Sequence, residues 1–472
     1  MRDARGVNRP EAHSDRMGIS AGVWVILGLA LVSSGWILAH PRGAPSGMQL
    51  WTYARTHTLN YAPIVADWNR RQADPDRRIE LSLIGPGPLR HRLMSGFMSR
   101  TPTADLIEIE RSMAGEFFAG PVEAVGFLDL TDRIRAAGID EAINAPSFSP
   151  WTSRGRIFGL PHDVHPVLLG YRADIVEDAG IDVSRIETWA DFARVLGPLI
   201  RDLDGDGRPD RYLLNYWYTN KDTTEVLLLQ AGGGYFDEAG HVIVDSPVNA
   251  RVLATLVTWV CGPGRIALDA PEFTASGNQL RLQGNVVCSL MPDWLCGVWR
   301  NDLPGLAGKI KIMPLPAWEP GGRRVSVWGG TMLGIARDSP HIETAWEFAQ
   351  ELYLSADMAE SLYRTAGIVS PVRRLWSLPC YDEPQPYFCR QAPGRTYLAH
   401  APYVPRRTSS PFNEMAKEHL QEALIELRGY ALDHGVNTEA ELLPEAQRLL
   451  ARAAQNVRRT VARNVFHRED QP

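Results

Sequence analysis

The densest group of chemistry-bearing side chains is DLDGDGRPD at residues 202–210. Asp202, Asp204 and Asp206 stand at alternate positions, Gly207 follows at the sixth and Asp210 at the ninth, the spacing of an EF-hand-type calcium loop. Hard carboxylate oxygens bent round by a glycine suit the flexible shell of Ca²⁺, with the carbonyl of Arg208 as a further ligand. Leu213 occupies the twelfth position, where such loops place a bidentate glutamate. Four aspartates this close repel one another without a cation, and an Asx-type turn is the competing reading. The expected role is a structural Ca²⁺ that pins the loop.

The second group is aromatic. The chain has 14 tryptophans. Of these, Trp51, Trp217 with Tyr218, Trp294 and Trp328 lie beside polar or glycine-rich turns, whereas Trp68, Trp189, Trp259 and Trp346 read as core. Flat aromatic surfaces pack on the apolar C–H faces of sugar rings, and sugar hydroxyls need fixed polar partners. Glu110, Arg111, Asp163, His165 and Asp293 can supply them. His162 and His165, three residues apart outside a clear helix, give thin support to a metal site. No G-x-x-x-x-G-K-[ST], H-E-x-x-H or G-x-S-x-G is present, so the nucleotide-hydrolysis, metalloprotease and serine-hydrolase signatures are missing.

These side chains need a frame. Strand patterns at 48–53, 79–84 and 105–109 alternate with helical patterns from Leu59, from Leu89 and from Ser112, which predicts an α/β lobe with a largely parallel sheet. Ligands of such sheets sit at the carboxyl ends of the strands, which here carry Tyr53, Arg55 and the cluster Glu108-Ile109-Glu110-Arg111. Residues 159–189 read as a passage between lobes: two prolines stiffen HDVH, and Val167–Tyr171 is apolar on both faces, as a buried strand requires. A second lobe follows, with helices at 188–201, 222–231 and 247–260 and strands at 212–216, 242–244 and 286–291. Residues 376–412 are rich in prolines and turns, and two helices at about 412–430 and 438–465 close the chain.

With 472 residues, 44% hydrophobic and 22% charged, the chain suits two or three domains. A net charge of −6 argues against nucleic acid as a partner. Five cysteines lack zinc-site spacing; in an oxidising compartment Cys380 and Cys389 would pair, and the alternative is five reduced thiols. Residues 18–39 are uncharged and long enough to span a bilayer, and Arg2, Arg5, Arg9 and Arg16 precede them. A cytoplasmic tail (1–17), an uncleaved transmembrane anchor or a signal sequence (18–39) and a linker (40–47) are therefore expected, with the bulk of the chain outside the membrane.

Several segments resemble family 1 extracellular solute-binding proteins, the sugar receptors of ABC importers. The landmarks are Tyr171, Asp174, Ala179-Gly180-Ile181-Asp182 and Thr188-Trp189-Ala190-Asp191-Phe192, with Arg172 where the family usually has Asn. They continue at Gly233-Gly234-Tyr235-Phe236-Asp237 with Gly240, at Gly284 with Trp294, and at Gly329, Gly330, Ile335, Ser339, Glu343, Ala345, Glu347 and Phe348. The resemblance implies a two-lobed periplasmic-binding-protein-like α/β fold (type II), each lobe a mixed or parallel sheet flanked by helices, with three passages between lobes. One lobe is expected from 48–165 and 333–375, the other from 166–332 and 376–472. It further implies a carbohydrate ligand, ABC permease partners and no catalysis, with Tyr53, Arg55, Glu110, Arg111, Asp163, His165, Trp217, Tyr218, Asp293, Trp294, Trp328 and Gly329 at the ligand. Two alternatives stay open: a glycosidase pairing Glu110 with Asp163 or Asp293, and a membrane-anchored sugar sensor or adhesion module.

Overall fold

Alternation along Met48–Thr52 turns Met48, Leu50 and Thr52 inward, and parallel pairing with Ile79–Leu83 and Leu106–Glu110 builds the first sheet around it. Parallel strands need crossovers, supplied by helices Arg55–Arg71 and Pro86–Ser99. The first of these begins four residues before Leu59, because His57, Tyr61, Val65 and Trp68 already make one buried stripe. A computed structural model of the chain describes residues 21–39, 47–464 and 466.

The first sheet is completed by a strand from far along the chain. Thr331–Ile335 inserts antiparallel between Leu106–Glu110 and Leu160–Pro161, with Leu333 opposite Glu108. Glu108 lies within the strand predicted at 105–109 but is fully buried, so it does not belong to the ligand-facing cluster at the strand's carboxyl end. The burial follows from the period of two: Leu106, Glu108 and Glu110 share a face, and a central strand covers both.

The second sheet is centred on Pro166–Arg172, buried along its whole length. It pairs antiparallel with Ile310–Met313 on one side and Val286–Pro292 on the other, and Tyr212–Asn215 and Ala267–Leu268 extend the sheet in parallel. Ser326–Val327 also pairs with its start. Each sheet has its own apolar core, the second including helices Trp189–Leu196, Lys221–Gln230, Pro247–Val260, Asn413–His434 and Glu439–Val461. Helix Trp189–Leu196 carries a Thr188–Asp191 capping box and stops well short of residue 201, because Gly197-Pro198 breaks the α-helical ladder. The strand predicted at 242–244 reduces to a single Phe236–Val242 bridge.

The chain passes between the sheets at 162–165 and again at 328–330. Residues 379–404 pack on the second sheet beside Leu168 and Met291. Residues 407–409 then touch the first lobe, where the Arg407 amide donates to Ser149 Oγ (3.1 Å) and the Ser409 hydroxyl to Thr152 O.

All five cysteines are free thiols, so the pairing of Cys380 with Cys389 does not form. Cys380 is buried, while the Cys389 thiol turns towards the carbonyl of Gly308 at 3.2 Å.

Two units divide the chain, Met1–Ser46 and Gly47–Pro472. In the first, the apolar run forms a 19-residue helix, Ala21–Ala39. At about 1.5 Å per residue it spans about 28 Å against an apolar bilayer core of about 30 Å. Among the described residues no helix is long and apolar enough to cross a membrane. The expected tail 1–17, the first three residues of the expected span and linker residues 40–46 lie outside the described residues.

Candidate ligand-binding site

Proline brackets set the first passage. Pro161 ends one strand, Pro166 starts the next, and His165 between them is held at φ +53°. This left-handed turn aims the imidazole at the other lobe. His165 Nδ1 meets Asp293 Oδ1 at 2.8 Å and Nε2 meets Asp163 Oδ2 at 3.0 Å. Burial alone would lower this imidazolium, but Asp163 and Asp293 outweigh it and hold it up at about 10. Burial acts against the Asp163 carboxylate too, yet His165 and His162 keep it well below the usual range.

Asp293 is fully buried and joins three segments. Besides His165, it accepts from the amides of Trp294 (2.8 Å) and Val369 (2.8 Å). The Trp294 indole donates to the carbonyl of Trp328 at 3.0 Å, and the two rings meet edge to face at 5.5 Å. Trp328 N donates to His165 O. Gly329 (φ +98°) closes the group: a Cβ there would stand 2.9 Å from His165 Cδ2, so only glycine lets the second passage lie over the ring. Asp163, His165, Asp293, Trp294, Trp328 and Gly329 thus come together where the chain changes lobes. Both indoles are partly buried, packed against the cores with part of each ring still accessible.

The other predicted residues are placed more loosely. Tyr53 bonds Thr331 Oγ1 at 2.6 Å, next to the second passage. Glu110 caps helix Arg111–Phe117 by accepting from Ser112. Arg55 is exposed at the start of its helix. Trp217 is half-buried, its carbonyl accepting from the Thr223 hydroxyl, and the ring of Tyr218 lies under Arg428, turned towards the C-terminal helices. These do not join the cluster.

Arg111 is buried and reaches across to Glu225 of the second lobe at 2.5 Å. Lys417 shares Glu225 at 2.9 Å and also pairs with Asp222. Arg111 and Lys417 hold the Glu225 carboxyl down at about 2 against its burial. Arg407 donates to the carbonyl of Gly329, and burial and Arg111 pull its guanidinium down. Sequence reasoning missed Glu225, Arg407 and Lys417; the one available signal was rarity, since Lys417 is among only four lysines. It also missed Phe273, an exposed ring at φ +61° stacked on Trp294 at 6.1 Å. A groove of about 1090 Å³ runs past Asn144, Arg324, Arg373, Trp376, Tyr403 and Arg406, and none of the predicted ligand residues lines it.

In the Asp-rich loop, oxygens of Asp202, Asp204 and Asp210 lie within 4.8 Å of one another. Asp206 stands outside this group and accepts from the amide of Arg208. Gly205 and Gly207 take the positive φ the turn requires. Backbone amides of Gly207 and Gly205 lower the Asp202 carboxyl.

Known proteins agree with this architecture. The family model for bacterial extracellular solute-binding proteins matches residues 60–359. An arabinooligosaccharide-binding protein of Halalkalibacterium halodurans is 28% identical over 351 residues, covering 72% of this chain and 74% of that protein. Its Bacillus subtilis namesake is 28% identical over 361 residues, covering 74% and 79%. The sugar-binding protein MalE of Xanthomonas citri superposes with a TM-score of 0.71 at 16% identity, covering 88% of this chain and 99% of that one. With two α/β lobes, two passages packed against each other and a match over most of its length, the chain belongs to the bacterial extracellular solute-binding proteins.

Proposed function

We propose that the protein is an extracytoplasmic receptor that captures a sugar or oligosaccharide between its lobes and presents it to the permease subunits of an ABC importer. The observation that carries this reading is the assembly of Trp294, Trp328, His165 and Asp293 at the passages between lobes, where aromatic faces and fixed polar atoms meet. Tyr53, Arg55, Glu110, Arg111, Asp163, Trp217, Tyr218 and Gly329 complete the proposed lining as the lobes open and close. The Arg111–Glu225 pair bridges the lobes, so ligand reaches the cluster when this pair parts. Domain closure of this kind captures ligand by its differential contacts with the closed state. Arabinooligosaccharides, for which the two relatives are named, head the panel of candidate ligands. The carboxylates Glu110, Asp163 and Asp293 are each engaged in holding protein groups, which supports binding without turnover.

Titration with arabino- and malto-oligosaccharides is expected to shift tryptophan fluorescence. Trp294→Ala should weaken the best ligand about thirtyfold, the ~2 kcal/mol of a central aromatic contact. A panel that leaves the fluorescence unchanged, or that is hydrolysed to new reducing ends, would sink the reading.

We also propose that the N-terminal run tethers the receptor to the cytoplasmic membrane, a reading supported by its uncharged composition and the preceding arginines. Alkaline carbonate extraction should leave the full chain in the membrane pellet; release as a shortened soluble chain would mean cleavage instead. The proposal for the Asp-rich loop is structural Ca²⁺ on Asp202, Asp204 and Asp210, with Asp206 and the Arg208 carbonyl as further ligands. Ca²⁺ at 100 times its Kd should then add about 2.7 kcal/mol of stability, and Asp204→Asn should abolish the increment. An unchanged melting temperature in Ca²⁺ and in chelator would refute it.

A further inference from the structure

The interior of the first lobe holds a constellation that ligand capture does not use. Glu108 has 0% exposure, in the middle of its strand. One oxygen, Oε1, accepts from the hydroxyls of Tyr61 and Tyr353. The other, Oε2, accepts from the Thr52 hydroxyl and lies 3.0 Å from Nδ1 of His57. Among the described residues His57 is its one ion-pair partner; no arginine or lysine reaches it. A buried carboxylate with no permanently charged partner is costly.

His162 stands beside this pair, its ring centroid 4.4 Å from that of His57. Its Nδ1 faces Asp163 Oδ2 at 3.1 Å, and this carboxylate fixes the proton on Nδ1. Nε2 is left as a bare lone pair. It is buried and meets no hydrogen-bond partner among the described residues. Ligand atoms of His57, Glu108 and His162 all lie within 4.8 Å of one another.

We propose that His57, Glu108 and His162 bind a divalent transition metal of the zinc class. Two imidazoles and one carboxylate are the mixed nitrogen and oxygen set that such cations take, whereas Ca²⁺ and Mg²⁺ take oxygen alone. Zinc–ligand bonds of about 2.0–2.1 Å place tetrahedral neighbours about 3.3 Å apart, close to the observed 3.0 Å between His57 and Glu108. Asp163 behind His162 is the carboxylate–histidine support that sets a ligand's tautomer and orientation. The tyrosine hydroxyls on Oε1 and the Thr52 hydroxyl on Oε2 orient Glu108, and the remaining lone pair of Oε2, now facing His57, is the one for the cation. A cavity of about 10 Å³ lined by His162, Tyr353 and Ser370 lies alongside, room for about one water as a fourth ligand. Asp163 also holds His165, so an occupied site ties the first passage to the core beneath it.

The test uses the full chain stripped with EDTA and titrated with Co²⁺ and Zn²⁺. One Co²⁺ per chain should give visible d–d bands of low-symmetry four-coordinate cobalt, Zn²⁺ should displace it, and the melting temperature should rise. His162→Gln should weaken Zn²⁺ at least about a hundredfold, while Asp204→Asn, in the exposed loop, should leave the bands intact. If His162→Gln does not fold, the wild-type spectrum together with His57→Gln decides. A chain that shows no bands and no zinc-dependent rise holds a proton or water there instead, and the proposal falls. Bands that survive His162→Gln and vanish in Asp204→Asn overturn it equally.

Discussion

Asp293→Ala will cost about 3–5 kcal/mol of stability, the usual effect of removing one partner from a buried ion pair. The carboxylate is fully buried and is shared among the His165 ring, the Trp294 amide and the Val369 amide. Its loss leaves Nδ1 of the imidazolium and the amides of Trp294 and Val369 without their acceptor. The same change cuts the link between Trp294 and the first passage, so ligand-induced fluorescence changes should shrink with it. Chemical denaturation with a saccharide titration on the refolded variant measures both. Asp293→Asn preserves one acceptor oxygen and should recover part of the loss; equal stability of wild type and alanine variant would contradict the network.

The second large effect is a loss of stability in alkali. Burial acts against the charged His165, but Asp163 and Asp293 hold its folded value at about 10, above the ordinary 6.5. A group raised on folding stabilises fully below its unfolded value and loses that contribution as pH climbs to the folded one. The window is therefore pH 6.5 to about 10, and the upper bound of the loss is about 5 kcal/mol at 1.36 kcal/mol per unit. Asp163 works in the opposite direction: its carboxyl is held below the ordinary 3.8, so its contribution disappears as pH falls through the acid range. Melting curves should fall progressively above pH 6.5 and again below pH 4. A melting temperature that is flat from pH 6.5 to 9.5 would show that the Asp163–His165–Asp293 chain carries no net stabilising charge.

Local signals were sufficient for much of this. The alternation in Met48–Thr52 and the two-sided apolarity of Pro166–Arg172 each state their own geometry, and the structure places both accordingly. His165 stands beside Pro166, Asp293 beside Pro292 and Trp328 beside Gly329, with Trp294 next to Asp293, so each was visible as a candidate beside a chain-direction marker. Arg111–Glu225 and Lys417–Glu225 were not readable, since their partners lie far apart in sequence and neither end sits in a motif. Glu108 carried a signal that points inward: in LIEIE it is flanked by Ile107 and Ile109, whereas Glu110 ends the run and caps the next helix. The C-terminal helices were legible from periodicity, but the way the preceding 405–412 stretch dips onto the first lobe depends on tertiary fit. The small space opposite Gly115, where a Cβ would meet Ser410 O at 2.8 Å, leaves no trace in sequence order.

The late arrival of Thr331–Ile335 in the first sheet has a consequence for biogenesis. A ribosome delivers residues in order, and Leu106–Glu110 and Leu160–Pro161 have no strand between them until the chain has been synthesised past Ile335. The first sheet therefore stays incomplete, with the place between those two strands unfilled, while only the first half has been made. Closure of the first lobe thus waits on a segment more than two hundred residues downstream of Leu106–Glu110, the strand it pairs with, so the lobe is finished only after most of the second lobe has been synthesised.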